Sequence, residues 1–183
     1  MSLETGTYRL GPDNATLSVR TARAGAAAKA GHDLLIHVTD WAATIVARDE
    51  ATGVRLELTA NPSSLRVREG KGGIQALGDE DLDNIHQTID DEVLMRREIT
   101  FRSTSAERAG GAVIHVEGDL SLFGNTHPVT FDLKISDAGA VAATAVVKQS
   151  DWGMKPYSAL FGALKVADEV RVVLEGQVAK PAS

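Results

Sequence analysis

The sequence predicts an all-β domain of antiparallel strands with one amphipathic helix, and three observations favour this class. Apolar and polar residues alternate through several runs, which is the period of a strand with one buried face. Glycine-containing turn signals separate these runs, and one segment instead has apolar residues at helical spacing. Strands that follow one another through short turns favour a meander that closes into a barrel or a sandwich.

The alternating runs are the candidate strands. The clearest ones span residues 55–60, 114–122, 129–136 and 170–175. The turn signals beside them are Gly110-Gly111, Gly124-Asn125 and Asp137-Ala138-Gly139. A longer run at 34–49 alternates less regularly, and the small side chains of its Ala42-Ala43-Thr44 stretch indicate tight curvature or free space.

One segment breaks the strand pattern and predicts a helix from Asp79 to about Arg97. Its apolar stripe consists of Leu82, Ile85, Ile89 and Val93. Asp79 follows Gly78 and is the expected N-cap, with acidic residues in the first turn as the helix dipole favours. We expect the apolar stripe to pack on the barrel. A shorter helical turn is predicted around residues 156–164.

Composition limits the classes of function. The 183 residues fit a single domain, 1–183, and the net charge of -6 argues against nucleic-acid binding and against attraction to anionic membranes. The chain has no cysteine, which excludes disulfides, thiol chemistry and cysteine-based zinc sites. No secretory signal or membrane-length apolar segment is evident, so we expect a cytoplasmic protein without stable membrane insertion.

The pair His32-Asp33, with His37 nearby, is the main candidate for chemistry. Asp could orient a His as a general base, and two His residues could share a metal ion. Adjacent strand residues point to opposite faces, however, and a third ligand is not evident. We therefore expect no catalytic residue and no metal site, with His32 and Asp33 as polar residues that satisfy backbone groups at the barrel mouth. The remaining histidines, His86, His115 and His127, are expected to be surface or turn residues.

Residues 116–131, with the sequence VEGDLSLFGNTHPVTF, resemble the YceI-like family. In that family a strand with the pattern G-x-L-T-hydrophobic-x-G-x-T-x-P-V runs through a tight turn into its neighbour. Three further segments resemble family motifs: Ser150–Met154, Val166–Val170 and Ile99–Ser103, the last of which follows the predicted helix. The resemblance covers nearly the whole chain, and its most specific part is the hairpin at 118–129.

The resemblance implies an extended, eight-stranded lipocalin-like antiparallel β-barrel around an elongated apolar tunnel. Members are thought to carry polyisoprenoid, quinone-like or fatty-acyl molecules, and many are periplasmic. This sequence departs from the family pattern at the missing signal segment, at Gln149-Ser150 where an Arg usually precedes Asp-Trp-Gly, and at Lys29–Leu34 with its His-Asp pair. A cytoplasmic branch with different ligand chemistry is implied.

The first functional hypothesis is therefore a carrier protein, not an enzyme, for an isoprenoid or fatty-acyl ligand, with no other cofactor. The polar end of the ligand would lie near the barrel mouth, close to His32, Asp33 or Tyr157. Inward positions would form the apolar wall, and they are Trp41, Ile45, Phe101, Leu120, Leu122, Phe131 and Trp152.

Two alternatives belong to other classes. One is a small hydrolase or isomerase that uses His32 and Asp33, which requires both groups to converge in one pocket. The other is a filled barrel with a structural or stress-related role, in which an exposed strand edge would favour a homodimer.

Overall fold

The computed structural model describes residues 3–49, 53–159, 162, 164–179 and 181. One α-helix occurs among these residues, α1 (Asp79–Thr88), and it continues into a π-helical turn at Ile89–Val93. The strands are β1 (Gly6–Leu10), β2 (Ala15–Arg20), β3 (Arg23–Ala24), β4 (His32–Val38), β5 (Trp41–Ala47), β6 (Val54–Ala60), β7 (Leu65–Gly72), β8 (Ile99–Gly110), β9 (Val113–Leu122), β10 (Asn125–Ile135), β11 (Ala140–Lys148), β12 (Ser158–Ala159), β13 (Leu164–Val166) and β14 (Glu169–Gln177).

Eleven of these strands form one strongly curled antiparallel sheet. Their order is β1-β5-β6-β8-β9-β10-β11-β14-β2-β4-β7, and β12, β13 and β3 form a separate small sheet. The four predicted alternating runs correspond to β6, β9, β10 and β14. The predicted all-β class with one helix is therefore confirmed.

Three pairs of strands are halves of longer chain segments, which we call the long segments 6–20, 32–47 and 54–72. Each is interrupted by a kink, at 11–14, 39–40 and 61–64 respectively. The halves β1, β5 and β6 stand together at one end of the sheet order, and the halves β2, β4 and β7 stand at the other. When the halves are joined, the eleven strands become eight. Both ends of the sheet order then belong to the same three segments, so the sheet closes on itself. The pairing thus agrees with the eight-stranded barrel that the resemblance implies.

Ser64 connects the kinks of the second and third long segments. The backbone N–H of Thr39 donates to the Ser64 carbonyl oxygen at 2.9 Å, and that of Asn61 donates to the Asp40 carbonyl oxygen at 2.9 Å. The Ser64 side chain is buried; its hydroxyl donates to the Asn61 carbonyl oxygen at 2.8 Å and accepts the Asp40 N–H at 3.1 Å. These bonds satisfy backbone groups that the interrupted ladder cannot pair. We call this group of residues the kink cluster.

The connections between the eight joined strands lie at two ends of the sheet, and all three long ones are at the same end, together with the short turn 123–124. At the end that we call the turn end, the connections are short and span 48–53, 111–112 and 136–139. At the opposite end, the loop end, three connections are long and span 21–31, 73–98 and 149–168. The helix α1 belongs to the second of these, so it lies at the loop end.

The interior is filled with apolar side chains at the turn end. Val116, Leu133 and Ile45 are the largest fully buried side chains of the described chain, with at most 2% of their surface exposed. Each of them lies in a strand section next to a short connection. Their neighbours in this core are buried as well, and they include Ala47, Ile114, Ile135 and Val141.

The helix begins where the sequence predicts, but its cap differs from the expected one. Gly78 is the N-cap, in an extended conformation, and its N–H donates to the carboxylate of Asp81 at 2.9 Å. Asp79 is therefore the first helical residue and not the cap. The helical region ends at Val93, short of Arg97, because Met95 and Arg96 adopt left-handed φ values of 50° and 52°. Within the described chain, no helix has the length and apolar character needed to cross a bilayer.

The segment at 156–164 differs from the helical turn that the sequence predicts. Ser158–Ala159 is strand β12 and pairs with Lys165 and Leu164, which satisfies its backbone groups in a sheet. Helical geometry of the 3₁₀ type is present at Gly162. Residues 160, 161 and 163 of the predicted turn lie outside the described residues.

His86 fixes α1 against β7. Its Nε2 atom accepts the backbone N–H of Val67 at 3.0 Å, which requires a neutral ring. Burial is the main cause that lowers the pKa of His86, and Arg66 adds to it, whereas Asp83 and Asp90 act in the opposite direction. The sequence predicts a surface histidine here, but the structure shows a half-buried ring with a specific backbone partner.

Replacing Ser64→Ala should lower the free energy of unfolding by about 1–3 kcal/mol, because the buried Asp40 N–H loses its hydroxyl acceptor. Urea unfolding measures this quantity. Ser63→Ala is the matched control, since only the backbone N–H of Ser63 takes part in the kink cluster among the described residues. Its effect should stay within about 0.5 kcal/mol. Equal losses in both variants would show that the Ser64 hydroxyl contributes nothing specific.

The lowered pKa of His86 makes the free energy of unfolding depend on pH. Between the folded pKa and the unfolded value of about 6.5, the unfolded chain binds more protons than the folded one. The stabilising contribution of His86 is thus complete above about pH 6.5 and is lost as the pH falls through the folded pKa. His86→Gln keeps an acceptor that does not titrate, so it should flatten the dependence in urea unfolding series at pH 5–8.

His115→Gln is the control for that series, because His115 is exposed and bonds to Asp132 on the neighbouring strand. It should leave the acid-side loss of stability in place. His37, whose pKa is also lowered by burial and by Arg68, contributes a parallel loss that remains in the His86 variant. An unchanged slope in His86→Gln would refute the assigned contact.

Candidate functional site

The loop end of the interior contains a cavity of about 400 Å³. This volume falls within the range of roughly 300–1,000 Å³ that is typical of small-molecule sites. The cavity is bounded on one side by the curled sheet and on the other by the helical region of the connection 73–98. Ile85, Ile89 and Val93 of that region face the cavity, so the stripe predicted to pack on the barrel covers an unfilled space.

The sheet side of the cavity is lined by apolar side chains. Phe101 and Phe131 contact each other there, with ring centroids 5.5 Å apart and a tilt of 54° between the planes. Several inward side chains of this wall remain half-exposed, among them Leu120, Phe131 and Val172. In β9 and β10, the inward residues nearer the turn end are buried: Ile114, Val116, Leu133 and Ile135. The difference shows where the interior side chains stop filling the barrel.

Small side chains on β11 contribute to the free volume. Ala143 and Ala145 point inward and line the cavity, while Ala142 and Thr144 lie on the outer face. An alanine leaves space that a leucine or phenylalanine would occupy, and the close packing of the rest of the core does not fill that space. The small side chains in this part of the wall agree with the low aromatic content of the chain, 4%.

Every polar side chain that lines the cavity belongs to one of the long connections at the loop end. These residues are Thr21, Asn84, Thr88, Gln149 and Tyr157. The lining residues of the sheet strands are all apolar, so the cavity changes from apolar at its depth to partly polar at its rim. No Asp, Glu, Lys, Arg or His is among the lining residues in the described chain. An uncharged, largely apolar lining of this kind suits an apolar molecule with one polar end.

Gln149 is the most deeply buried of these polar residues, with 6% of its surface exposed. It begins a 3₁₀ turn, Gln149–Trp152, that ends at Gly153 in the left-handed conformation (φ 74°). The Gln149 side chain donates from Nε2 to the Ala167 carbonyl oxygen at 3.1 Å, and its backbone N–H donates to the Asp168 carbonyl oxygen at 2.9 Å. The position of Gln149 is thus fixed from both its backbone and its side chain.

Asp168 holds the same turn from the other side. Its carboxylate accepts the backbone N–H of Ser150 at 2.8 Å and also the Ser150 hydroxyl. The Ser150 hydroxyl is the main cause that lowers the pKa of Asp168. The carboxylate therefore stays ionised over the neutral and mildly acidic range, and the turn keeps its anchor there.

Five of the residues expected to bind a ligand line the cavity, and they are Phe101, Leu120, Leu122, Phe131 and Tyr157. Trp41 and Ile45 face the interior but belong to β5, on the turn-end side of the kink, where the core is filled. Trp152 is also buried away from the cavity; its Nε1 donates to the Leu120 carbonyl oxygen at 2.8 Å. These three side chains support the walls without forming the cavity surface.

His32 and Asp33 lie at the loop end but outside the cavity lining. The Nε2 atom of His32 hydrogen-bonds the Gln75 carbonyl oxygen at 2.8 Å. Asp33 Oδ1 accepts the backbone N–H of Arg23 at 2.8 Å and lies 3.8 Å from the Arg23 Nε atom. The two side chains have separate partners and do not converge on one space. No cluster of three metal-ligating side chains occurs in the described ranges.

A broader recess of about 1,030 Å³ lies on the outside of the turn end, between residues 12–16, 137–138 and 175–179. It opens widely to solvent and includes the acidic residues Asp13, Asp137 and Glu175. Such a surface cannot exclude water from an apolar molecule. The deeper, mostly apolar cavity at the loop end is therefore the candidate functional site.

Comparison with known proteins agrees with this architecture. The crystal structure of Burkholderia cenocepacia BcnA matches with a TM-score of 0.64 and 18% identity over 90% of this chain and 96% of that one. A crystal structure of the Campylobacter jejuni YCEI protein matches with a TM-score of 0.56 and 16% identity over 81% and 85% of the two chains. At these identities the likeness shows the fold alone.

No curated protein matches this chain. The YceI-like domain, in contrast, matches residues 8–178, which include all eleven strands of the curled sheet except part of β1. The match extends over the kinked segments, the helical cover and the strands that line the cavity. The chain therefore belongs to the YceI-like family.

Proposed function

We propose that this protein binds an apolar small molecule, an isoprenoid, quinone-like or fatty-acyl chain, inside the loop end of its barrel and carries it through water. The observation that supports this proposal most is the cavity of about 400 Å³ with a wholly apolar sheet side. A cavity of this size is larger than native packing leaves by chance, and an apolar one is poorly occupied by water.

Burial of a hydrocarbon chain supplies the affinity. Each buried methylene contributes roughly 0.8 kcal/mol. About ten methylenes thus offer roughly 8 kcal/mol, which is comparable with the 4–15 kcal/mol that association costs. The ligand must therefore be long enough to occupy most of the cavity. Short apolar molecules would gain too little to remain bound.

Binding without chemical conversion agrees best with the lining. Tyr157 is the one titratable side chain among the described lining residues, and His32 and Asp33 have other partners. A general base needs to reach the proton that it abstracts. The hydrolase or isomerase alternative lacks such a group at the cavity. The filled-barrel alternative has less support too, because the filled region is confined to the turn end.

Native mass spectrometry of the protein, purified gently from its own host, should show a stoichiometric adduct, and organic extraction should release an apolar molecule. The chain-length argument predicts a ligand with an extended hydrocarbon portion. A bare protein that also fails to bind added prenols and long-chain alcohols would contradict the proposal. It would favour the filled-barrel alternative.

Replacing Ala143→Trp should lower the affinity for the ligand at least tenfold, because the indole ring would project into the cavity. Displacement of N-phenyl-1-naphthylamine, an uncharged dye that fluoresces in apolar surroundings, measures the change. Ala142→Trp is the matched control, since Ala142 lies on the outer face of the same strand. If the outer-face variant weakens binding as much as the inner one, the ligand does not occupy this cavity.

A further inference from the structure

The head group of the ligand can be inferred from the polar rim of the cavity, provided that the proposed function is correct. We propose that the cavity selects ligands whose polar end is uncharged and donates a hydrogen bond, and that Gln149 is the residue that selects them. The class comprises long-chain or prenyl alcohols, quinols, phenols and primary amides. Fatty-acid carboxylates and prenyl phosphates fall outside it.

The orientation of the Gln149 side chain follows from its partner. The Ala167 carbonyl oxygen can only accept a hydrogen bond, so the Gln149 atom that lies 3.1 Å from it must be the amide nitrogen. The carboxamide oxygen is therefore turned away from Ala167. Its position is determined by the hydrogen-bond network and does not depend on how an ambiguous amide is assigned.

The carboxamide oxygen of Gln149 has no hydrogen-bond partner among the described residues. Gln149 is more than nine-tenths buried. Its oxygen nevertheless keeps some accessible surface, because Trp41 Nε1 is the one side-chain polar atom of the described residues that is both fully buried and without a partner. The space that Gln149 lines is the ligand cavity. Because the nitrogen is bound to Ala167, we infer that the oxygen faces this cavity, where it remains unsatisfied unless the ligand supplies a donor.

Charge excludes the anionic alternatives. A carboxylate or phosphate placed in this cavity would meet no Lys, Arg or His side chain among the described lining residues. Burial of an unpaired anion is strongly unfavourable, and an acceptor-only head group would also face the Gln149 oxygen. A hydroxyl or amide group avoids both penalties.

The other polar lining residues complete the site and add no positive charge to it. The hydroxyl of Thr21 already accepts the backbone N–H of Leu34 at 3.2 Å. Asn84, Thr88 and Tyr157 lie on the rim, and each can donate as well as accept. They can therefore satisfy the lone pairs of a ligand hydroxyl whose proton is given to Gln149. None of them supplies the positive charge that an anion requires.

Three probes with the same number of carbon atoms separate the contribution of the hydrocarbon chain from that of the head group. They are hexadecane, 1-hexadecanol and palmitate, each tested by displacement of N-phenyl-1-naphthylamine at about pH 8. We expect 1-hexadecanol to bind most tightly and palmitate to bind at least tenfold more weakly than the alcohol. Gln149→Met keeps the length of the side chain but removes the acceptor. It should weaken 1-hexadecanol about three- to tenfold and leave hexadecane unchanged.

Lys148→Met is the matched control, because Lys148 is exposed on the outer face of β11 directly before Gln149. It should bind all three probes like the unmodified protein. Gln149→Lys provides a gain of function, since it places a cation at the same point and should reverse the order of palmitate and 1-hexadecanol. Circular dichroism and urea unfolding establish that each variant is folded before its affinities are compared.

The outcomes are distinguishable. Equal affinities for palmitate and 1-hexadecanol, or equal losses for hexadecane and 1-hexadecanol in Gln149→Met, would overturn the selection by Gln149 while the binding function stood. Failure of all three probes in the unmodified protein would refute the proposed function, and this inference with it. Loss confined to the alcohol would support both.

Discussion

The kink cluster around Ser64 is the constraint on which the rest of the arrangement depends. Three long segments must pass along the whole barrel, yet the barrel is filled at one end and open at the other. The halves β1 and β5 contribute no side chain to the cavity, whereas the halves β2 and β4 of the same segments line it. In the first two segments the kink thus lies at the level where the packed core ends, whereas in the third segment Leu58 and Ala60 of β6 line the cavity as well as Leu65 of β7. Buried hydrogen bonds at Ser64 hold the change of direction in the second and third segments.

The sequence predicts the strands well because alternation is a local property. It predicts Phe101, Leu120, Leu122 and Phe131 as inward residues for the same reason. Alternation gives the face of a strand but not the depth along the barrel axis, so Trp41 and Ile45 were indistinguishable from true cavity residues. The depth depends on where the segments kink, and the kink cluster joins residues more than twenty positions apart in the chain.

Gln149 was recognised in the sequence only as a departure from a family pattern, and its burial had no local signal. The turn that contains it is positioned by Ala167 and Asp168, which lie at the far end of the 149–168 connection. The dry stripe on α1 was predictable from its spacing, but a helical stripe looks the same whether it covers a packed core or an open cavity. The polar side chains of this site therefore come from the connections, while the strands provide a uniform apolar wall.

The unequal connections at the two ends also have a consequence for folding and local motion. Short connections at the turn end close with little loss of chain entropy, so their strands pair early, whereas three long loops must be ordered before the loop end is complete. We expect amide protons of β9 and β10 near the turn end to exchange only on global unfolding. We expect those of α1 to exchange through a local opening of lower free energy. The region that must admit a guest is thus the last to form and the first to open, and a bound molecule would act as part of its missing core.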